Sequence, residues 1–263
     1  MFNPVELHVQ VSGEGPPFVI LHGLFGSGSN WRTAARTLAL THTVYLVDLR
    51  NHGLSPWADS MTYPEMAGDV SALILKLGLG APIVLGHSMG GKVAMALALL
   101  YPLQVSQLII VDIAPVQYPG SMNSVAKAMM LPEVIVGANR TVITRNLQQH
   151  LTQPTIAPFL MQNLQSTEHG FSWRINLRVI DQQMTLITGF APELKSLRFD
   201  GPCFAVVGET SDYVVNANGG TVPELFAPMF DSIQIRTIKG AGHWVHTDQP
   251  DAFVQCVLDI IKL

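Results

Sequence analysis

The chain has 263 residues, a formal net charge of −4 and only 13% charged residues, about half the ~25% usual for a soluble domain. That length suits one large α/β domain with an inserted subdomain, and the mild acidity, with no Lys/Arg cluster, argues against a nucleic-acid surface. No run reaches the ~18 apolar residues of a membrane span, and "MFNPVELHVQ" lacks the basic start and apolar run of a signal peptide, so a cytoplasmic protein is expected.

Short β-rich runs then alternate with helical ones. "PFVILHG" (17–23) reads as a buried strand ending in a glycine turn. "SNWRTAARTLAL" (29–40) follows as a helix with Ser29 or Asn30 as its N-cap, and "THTVYLVDL" (41–49) is the next strand. "YPEMAGDVSALILKLGLG" (63–80) is a helix stopped by Gly78 and Gly80. "APIVLGH" (81–87) is a strand, "SMGGKVAMALALLYP" (88–102) a helix apolar nearly all round and therefore buried, and "QLIIVDIAP" (107–115) a strand again.

After residue 116 the pattern changes. Residues 116–200 are rich in Met, Gln, Leu and Asn, hold helical stretches such as "TVITRNLQQHL" and show no convincing strand. A loop of that length would be exceptional, so a helical insertion is expected, standing as a cap beside the strand at 107–115. The alternation resumes with strand 203–209, helix 222–230, strand 232–240 and a last helix within 248–263. In that helix Phe253, Val257 and Ile261 form a core-facing stripe. The expected organisation is an α/β core of residues 1–115 and 201–263, a mainly parallel sheet with helices on both faces, interrupted by a helical cap at 116–200. Its reactive groups should lie beyond the carboxyl ends of the strands.

Gly86-His87-Ser88-Met89-Gly90 is G-x-S-x-G set between a strand and a helix, the context of a nucleophile elbow. Side chains two residues either side of Ser88 would collide with strand and helix, so Gly86 and Gly90 leave them out, while Gly91 lets the helix lie close to the sheet. A glycine-rich turn carrying an incidental serine would share the pattern, but two further signals accompany it. His22-Gly23-Leu24-Phe25-Gly26 follows the first strand named, and a turn there can aim the N–H of Leu24 at a developing oxyanion, with the N–H of Met89 as the other donor. The rival reading of "GLFGSGSNW" as a phosphate loop lacks both the GK[ST] ending and the GxGxxG spacing. "GAGHWVH" follows the last strand and presents His243 where a general base belongs, with His246 as its nearest competitor. Of the nine histidines, His22 and His87 read as packing or hydrogen-bonding groups, His8 and His42 lie at or near strand edges, and His150 and His169 fall in the insertion. Cys203 and Cys256 sit in apolar runs and read as buried thiols, and no set of ligands completes a metal site around His243 and His246.

"HGLFGS", "DLRNHGLSP", "GHSMGG" and "GAGHWVH", in this order, resemble the α/β-hydrolase superfamily over essentially the whole chain outside the insertion. "VDLRNHGLSP" and "VDIAP" further resemble a branch of small bacterial serine esterases with a helical cap. Members with an aspartate nucleophile are disfavoured because the elbow holds Ser88. The resemblance implies a Ser, Asp/Glu, His order of triad residues, for which two aspartates qualify. Asp212 follows the strand at 203–209, where most relatives keep the acid, but counting from Gly208 the expected place is Ser211. Asp112 in "IIVDIAP" matches the esterase branch and is favoured. Asp48, Arg50 and Asn51 read as loop braces.

The expectation is therefore a serine hydrolase cleaving carboxylic esters, with acyl thioesters as a variant substrate class. It uses Ser88, His243 and Asp112 and the oxyanion donors Leu24 and Met89, with no cofactor, no metal, no nucleic-acid partner and no obligate protein partner. Within the insertion, Met129, Met130, Phe159, Met161, Phe171 and Trp173 are candidates for an acyl pocket or for the cap's own core. Hydrolysis of a C–C bond or a lactone and perhydrolysis would run on the same residues, and a silent ligand-binding member of the fold would be expected to lose one of them.

Overall fold

A computed structural model describes residues 3–118, 122–136, 139–168, 170–214 and 222–262. In chain order the first half runs β1 (Val9–Ser12), β2 (Pro17–Leu21), α1 (Arg32–Leu38), β3 (Thr43–Val47), α2 (Tyr63–Leu77), β4 (Ile83–His87), α3 (Met89–Leu100) and β5 (Gln107–Val111). The segment after β5 carries α4 (Met122–Met130), α5 (Pro132–Ile135), α6 (Arg140–His150), α7 (Ala157–Leu160), β6 (Leu164–Thr167), β7 (Gly170–Trp173), α8 (Leu177–Gln182) and α9 (Met184–Thr188). The chain closes with β8 (Cys203–Gly208), α10 (Val222–Phe226), β9 (Ile233–Ile238), α11 (Val245–Asp248) and α12 (Pro250–Ile260).

Seven strands form one sheet in the order β1-β3-β2-β4-β5-β8-β9. Every pairing is parallel except that of the edge strand β1 with β3. The central strands are buried on both faces, and their side chains alternate between two cores. Val19 and Leu21 face the layer of α2 and α3, whereas Phe18 and Ile20 face α1 and α12. Residues 89–99 of α3 are all buried, as their apolar run requires. Because β2, β4, β5, β8 and β9 run parallel, their carboxyl ends gather along one edge of the sheet, where the candidate site is built.

The termini of the elements follow local chemistry. Thr62 caps α2, and Glu65 reaches back to the Thr62 N–H at 2.9 Å. Gly78 ends the helix at φ 64°. The helix expected at 29–40 instead begins as a single 3-10 turn, Gly28–Trp31, before α1. Its flank is Ser27, whose N–H donates to Asn30 Oδ1 at 2.7 Å, so neither Ser29 nor Asn30 is the N-cap. The C-terminal stripe is Phe253, Val257 and Ile260, while Ile261 is half-buried, because the helix turns 3.6 rather than 4 residues per repeat.

Three further strands depart from expectation. β1 is an unnamed edge strand, and the inserted segment contains an antiparallel pair, β6 with β7. Both β6 and β7 are four residues long and polar except at Leu164, Phe171 and Trp173, too short for alternation to register. His169 lies outside the described residues. Cys203 is buried and Cys256 half-buried, both as free thiols. Among the described residues no helix is long and apolar enough to cross a membrane.

Candidate active site

Ser88 sits between β4 and α3 at φ 53°, ψ −121°, a conformation that costs a non-glycine residue ~1–3 kcal/mol and persists only where its surroundings hold it. Those surroundings are specific. The Ser88 N–H donates to Val111 O at 3.0 Å and its carbonyl accepts from Lys92 N–H at 3.1 Å. A Cβ at Gly86 would stand 2.1 Å from Gly90 O, and one at Gly90 would stand 2.4 Å from His22 O, so both glycines are required by close backbone approach. The Gly91 position meets Ile113 at 2.5 Å.

The structure brings Ser88, His243 and Asp112 into one chain of hydrogen bonds. His243 Nε2 is 3.1 Å from Ser88 Oγ, and His243 Nδ1 is 2.8 Å from Asp112 Oδ2. Asp112 follows β5 with φ 49° and is fully buried. Its carboxylate also accepts the Gly208 N–H at 2.9 Å and the Ser211 hydroxyl. The alternative acid place expected by counting from Gly208 is thus held by Ser211, which reaches the same carboxylate, while Asp212 is exposed. Tyr213, which sequence reasoning did not single out, stacks flat on the His243 ring with centroids 3.7 Å apart and planes 16° apart. It lies two residues after Ser211 in the turn after β8, and its N–H donates to Ser211 Oγ at 3.2 Å.

Leu24 and Met89 line the same cavity as Ser88. Met89 is the first residue of α3, whose opening N–H groups have no partner within the helix. The turn around Leu24 is fixed at both sides. Gly26 N–H donates to Gly23 O at 3.0 Å, and Phe25, at φ 61°, donates its N–H to His52 Nε2 at 3.2 Å. Leu24 N–H is left with no protein acceptor among the described residues. A Cβ at Gly23 would lie 3.0 Å from His87 Nδ1 and 3.3 Å from Ser88 Cβ, so any larger residue would press on both side chains.

Behind these loops lies a frame of buried polar groups. His22 Nδ1–H donates to Gly23 O at 2.8 Å and its Nε2 accepts Leu49 N–H at 3.0 Å. His52 Nδ1–H donates to Arg50 O at 3.0 Å. With one nitrogen donating and the other accepting, each ring is fixed as one neutral tautomer. Burial pushes His22 down to about 4 and His52 down to about 3, the latter helped by its neighbour His22. Asp48 accepts Gly28 and Leu54 N–H at 2.7 and 2.9 Å, and Arg50 forms a two-pronged pair with Asp69 at 2.6 and 2.9 Å. Asn51 Oδ1 accepts from Ala58 N–H and Asn176 Nδ2. These three residues therefore brace loops. His52, absent from the expected set, was hidden because its partner Phe25 is 27 residues away.

The cavity above Ser88 has a volume of about 1170 Å³. Apolar side chains of Ile113, Met122, Val125, Ile156, Phe159 and Ile187 line it alongside polar ones, including Asn30, Gln153 and Gln162. Of the six insertion residues considered for a pocket, only Phe159 is among its lining. Met129 and Met161 are buried in the core, Trp173 donates its indole N–H to Met129 O at 2.7 Å, Phe171 packs against the core and Met130 is 44% exposed. Helical register within the insertion, rather than residue type, decides which side chains face inward. Lys92 also borders the cavity, yet its ammonium donates to the carbonyls of Val116, Thr188 and Gly189 at 2.8, 2.9 and 2.5 Å. Burial pushes its pKa down to about 7. Among the described residues no group of three or more His, Cys, Asp or Glu side chains is gathered as a metal ion would need.

Comparison with known proteins places this geometry in a family. Residues 18–256 match the model of the alpha/beta hydrolase family. The chain is 35% identical over 259 residues to the sn-1-specific diacylglycerol lipase ABHD11 of Xenopus tropicalis, covering 95% of this chain and 79% of that protein. It is 34% identical over 242 residues to Esterase YbfF of Escherichia coli K12, covering 92% and 91%. Among solved structures, a marine microorganism esterase superposes with a TM-score of 0.90 at 34% identity, covering 97% of this chain and 99% of the other. With its family model spanning most of its length, the chain belongs to the alpha/beta hydrolase family.

Proposed function

We propose that this chain hydrolyses carboxylic esters through a Ser88–His243–Asp112 triad and an acyl-enzyme intermediate. The observation that carries the reading is the continuous Ser88 Oγ–His243–Asp112 chain, at 3.1 and 2.8 Å, mounted on a strained elbow. The names of the relatives, two of them esterases and one a lipase, support the same reaction class.

Ser88 Oγ attacks the acyl carbon as His243 Nε2 takes its proton, while Asp112 holds the imidazole with Nδ1–H toward the carboxylate. The N–H groups of Leu24 and Met89 receive the oxyanion, each donor being worth ~10²–10³ in rate. The alcohol leaves with the proton from His243. Water, activated by the same imidazole, then attacks the acyl-enzyme and returns Ser88 and the carboxylic acid. No step requires a cofactor.

The inserted segment at 116–200 acts as a cap over the core of residues 1–115 and 201–263, supplying Met122, Val125, Ile156, Phe159 and Ile187 to the cavity wall. Lys92 presents no free N–H to that cavity, and among the described residues no arginine lines it. The acyl group accepted there is accordingly uncharged and at least partly apolar.

The test is Ser88→Ala with p-nitrophenyl butyrate and a fluorophosphonate probe. The wild-type chain should be labelled and the variant not, with turnover falling by up to ~10⁶, the scale seen when a protease loses its nucleophile. Turnover surviving at the wild-type rate in a folded Ser88→Ala protein would remove the triad reading.

A further inference from the structure

We propose that His87 is a positioning residue that ties the serine elbow, the oxyanion turn and the base loop together, and so sets the alignment of His243 for catalysis. The proposal rests on the triad reading above.

His87 is the last residue of β4 and immediately precedes Ser88. It is 4% exposed, yet it borders the cavity. Its Nε2–H donates to the backbone carbonyl of His243 at 2.8 Å, and the two imidazole centroids are 4.8 Å apart. On its other edge, Nδ1 packs against Gly23 so closely that a Cβ there would stand 3.0 Å away. One ring therefore touches all three loops whose spacing the reaction depends on.

The ring itself is held from behind. Trp31 meets it edge-on at 6.1 Å and His246 at 5.1 Å, and His246 is in turn stacked on Trp31 at 4.1 Å. Burial is the main cause that keeps His87 uncharged, with His243 and His246 as neighbouring rings acting in the same direction. A neutral ring with Nε2–H toward a carbonyl is the state the geometry uses.

The base loop needs such a tie. Its neighbours are anchored, since Ala241 O accepts from Thr210 N–H and hydroxyl and Gly242 N–H donates to Asp248. These bonds lie before His243 in the chain, and after it Trp244 O accepts the Thr247 and Asp248 N–H groups at 2.8 Å, so both flanks of the residue are held. The bond from His87 acts at His243 itself. Without it the imidazole keeps Asp112 and Tyr213 but loses its fixed distance to Ser88 Oγ. Loss of alignment by about an ångström costs on the order of 10²-fold in rate when reacting atoms must meet in one geometry.

The experiment compares His87→Leu, which removes the donor, with His87→Gln, whose amide Nε2 falls near the imidazole Nε2 and can still donate to His243 O. Both are assayed on p-nitrophenyl butyrate, with circular dichroism confirming folding. The downfield N–H proton of the His243–Asp112 hydrogen bond is followed by NMR. His87→Leu should lower kcat about 10- to 100-fold with KM within about twofold, slow fluorophosphonate labelling in parallel and broaden the downfield proton. His87→Gln should restore kcat to within about threefold of the wild type. If His87→Leu fails to fold, the glutamine variant decides alone, since a lost donor predicts recovery and a lost aromatic wall does not. Wild-type kcat in His87→Leu, or glutamine as impaired as leucine, overturns the positioning role. If instead Ser88→Ala retains turnover, it is the triad reading that fails.

Discussion

Asp112 reaches the His243 imidazole from a left-handed backbone at φ 49°, and Ser88 faces it from φ 53°. Two strained non-glycine residues on adjacent strands are held because each donates its N–H across to the next strand. Ser88 N–H bonds Val111 O at 3.0 Å, and Asp112 N–H bonds Val206 O at 2.9 Å. The Asp112 carboxylate receives three donors, from Gly208, Ser211 and His243. An asparagine there keeps the shape but presents an amide to at least one donor, and it favours the wrong imidazole tautomer. Asp112→Asn should therefore reduce kcat by up to ~10⁴, the scale of the same change in a serine protease. Asp212→Asn, at an exposed carboxylate, should stay within about tenfold of the wild type. Ser211→Ala removes one donor of three and should cost about tenfold or less. All three are to be measured on one ester, with circular dichroism for folding. A crippled Asp212→Asn beside an active Asp112→Asn would reverse the assignment of the acid.

At the scale of elements, the segment between β5 and β8 is fastened to the core by single polar side chains. Lys92 of α3 holds the carbonyls of Val116, Thr188 and Gly189. Asn163 Nδ2 donates to Phe25 O at 2.7 Å, Asn176 Nδ2 donates to Asn51 Oδ1 at 3.0 Å, and the Tyr63 hydroxyl donates to Ile187 O. Lys92→Met fills the same volume but leaves three carbonyls without a donor, and each unpaired buried group costs ~1–3 kcal/mol. Some of that cost returns as the burial penalty of the ammonium is lifted. A net loss of about 3 kcal/mol is expected in urea unfolding, with cleavage of the 116–190 region by protease appearing before the core is cut. Unfolding at the wild-type midpoint would show that the lysine is not the anchor.

These fastenings mark where the sequence stops being readable. The elbow was legible because Gly86 answers to a contact four residues on, Gly90 O, and because strand and helix patterns on either side are long, although Gly90 and Gly91 answer to His22 O and Ile113 far away in sequence. Asp112 was favoured through the resemblance of "VDIAP" to the esterase branch, since Asp212 also follows a strand, and Ser211 stood out only as the place, counted from Gly208, where the commoner acid would be expected. Lys92, His52 and Asn163 were not, since the partners that tie them to other elements lie 24 to 138 residues away, and the local bonds of His52 to Arg50 O and of Asn163 to Leu160 O leave no sequence pattern. β6 and β7 were missed for the opposite reason, being too short to show a period. The lining of the cavity was missed because the insertion's helices are brief, so their inward faces depend on packing rather than on pattern.

The whole molecule carries a pH dependence that comes from its buried histidines. His22 and His52 are fully buried and His87 nearly so, and in each the neutral ring is the one the hydrogen bonds require. Burial holds His22 at about 4, His52 at about 3 and His87 well below its ordinary value, while in the unfolded chain each returns to ~6.5. Between these limits the unfolded state binds protons that the folded state refuses, so stability is full above pH ~6.5 and falls as the pH drops toward ~4. Three such groups give a slope of at most about 4 kcal/mol per pH unit, so the loss by pH ~4 is at most about 10 kcal/mol, comparable with a net stability of ~5–15 kcal/mol. Asp69 opposes the trend, because burial raises its carboxyl above the usual range and the folded state takes up that proton first. Urea midpoints measured from pH 7.5 to 4.5 should therefore decline steadily from about pH 6.5, and unfolding at pH 5 should take up two to three protons in a potentiometric titration. A midpoint that stays constant down to pH 5 would mean that these rings are hydrated or protonated in the fold, and that the frame behind the serine elbow is not the dry, neutral one described by its hydrogen bonds.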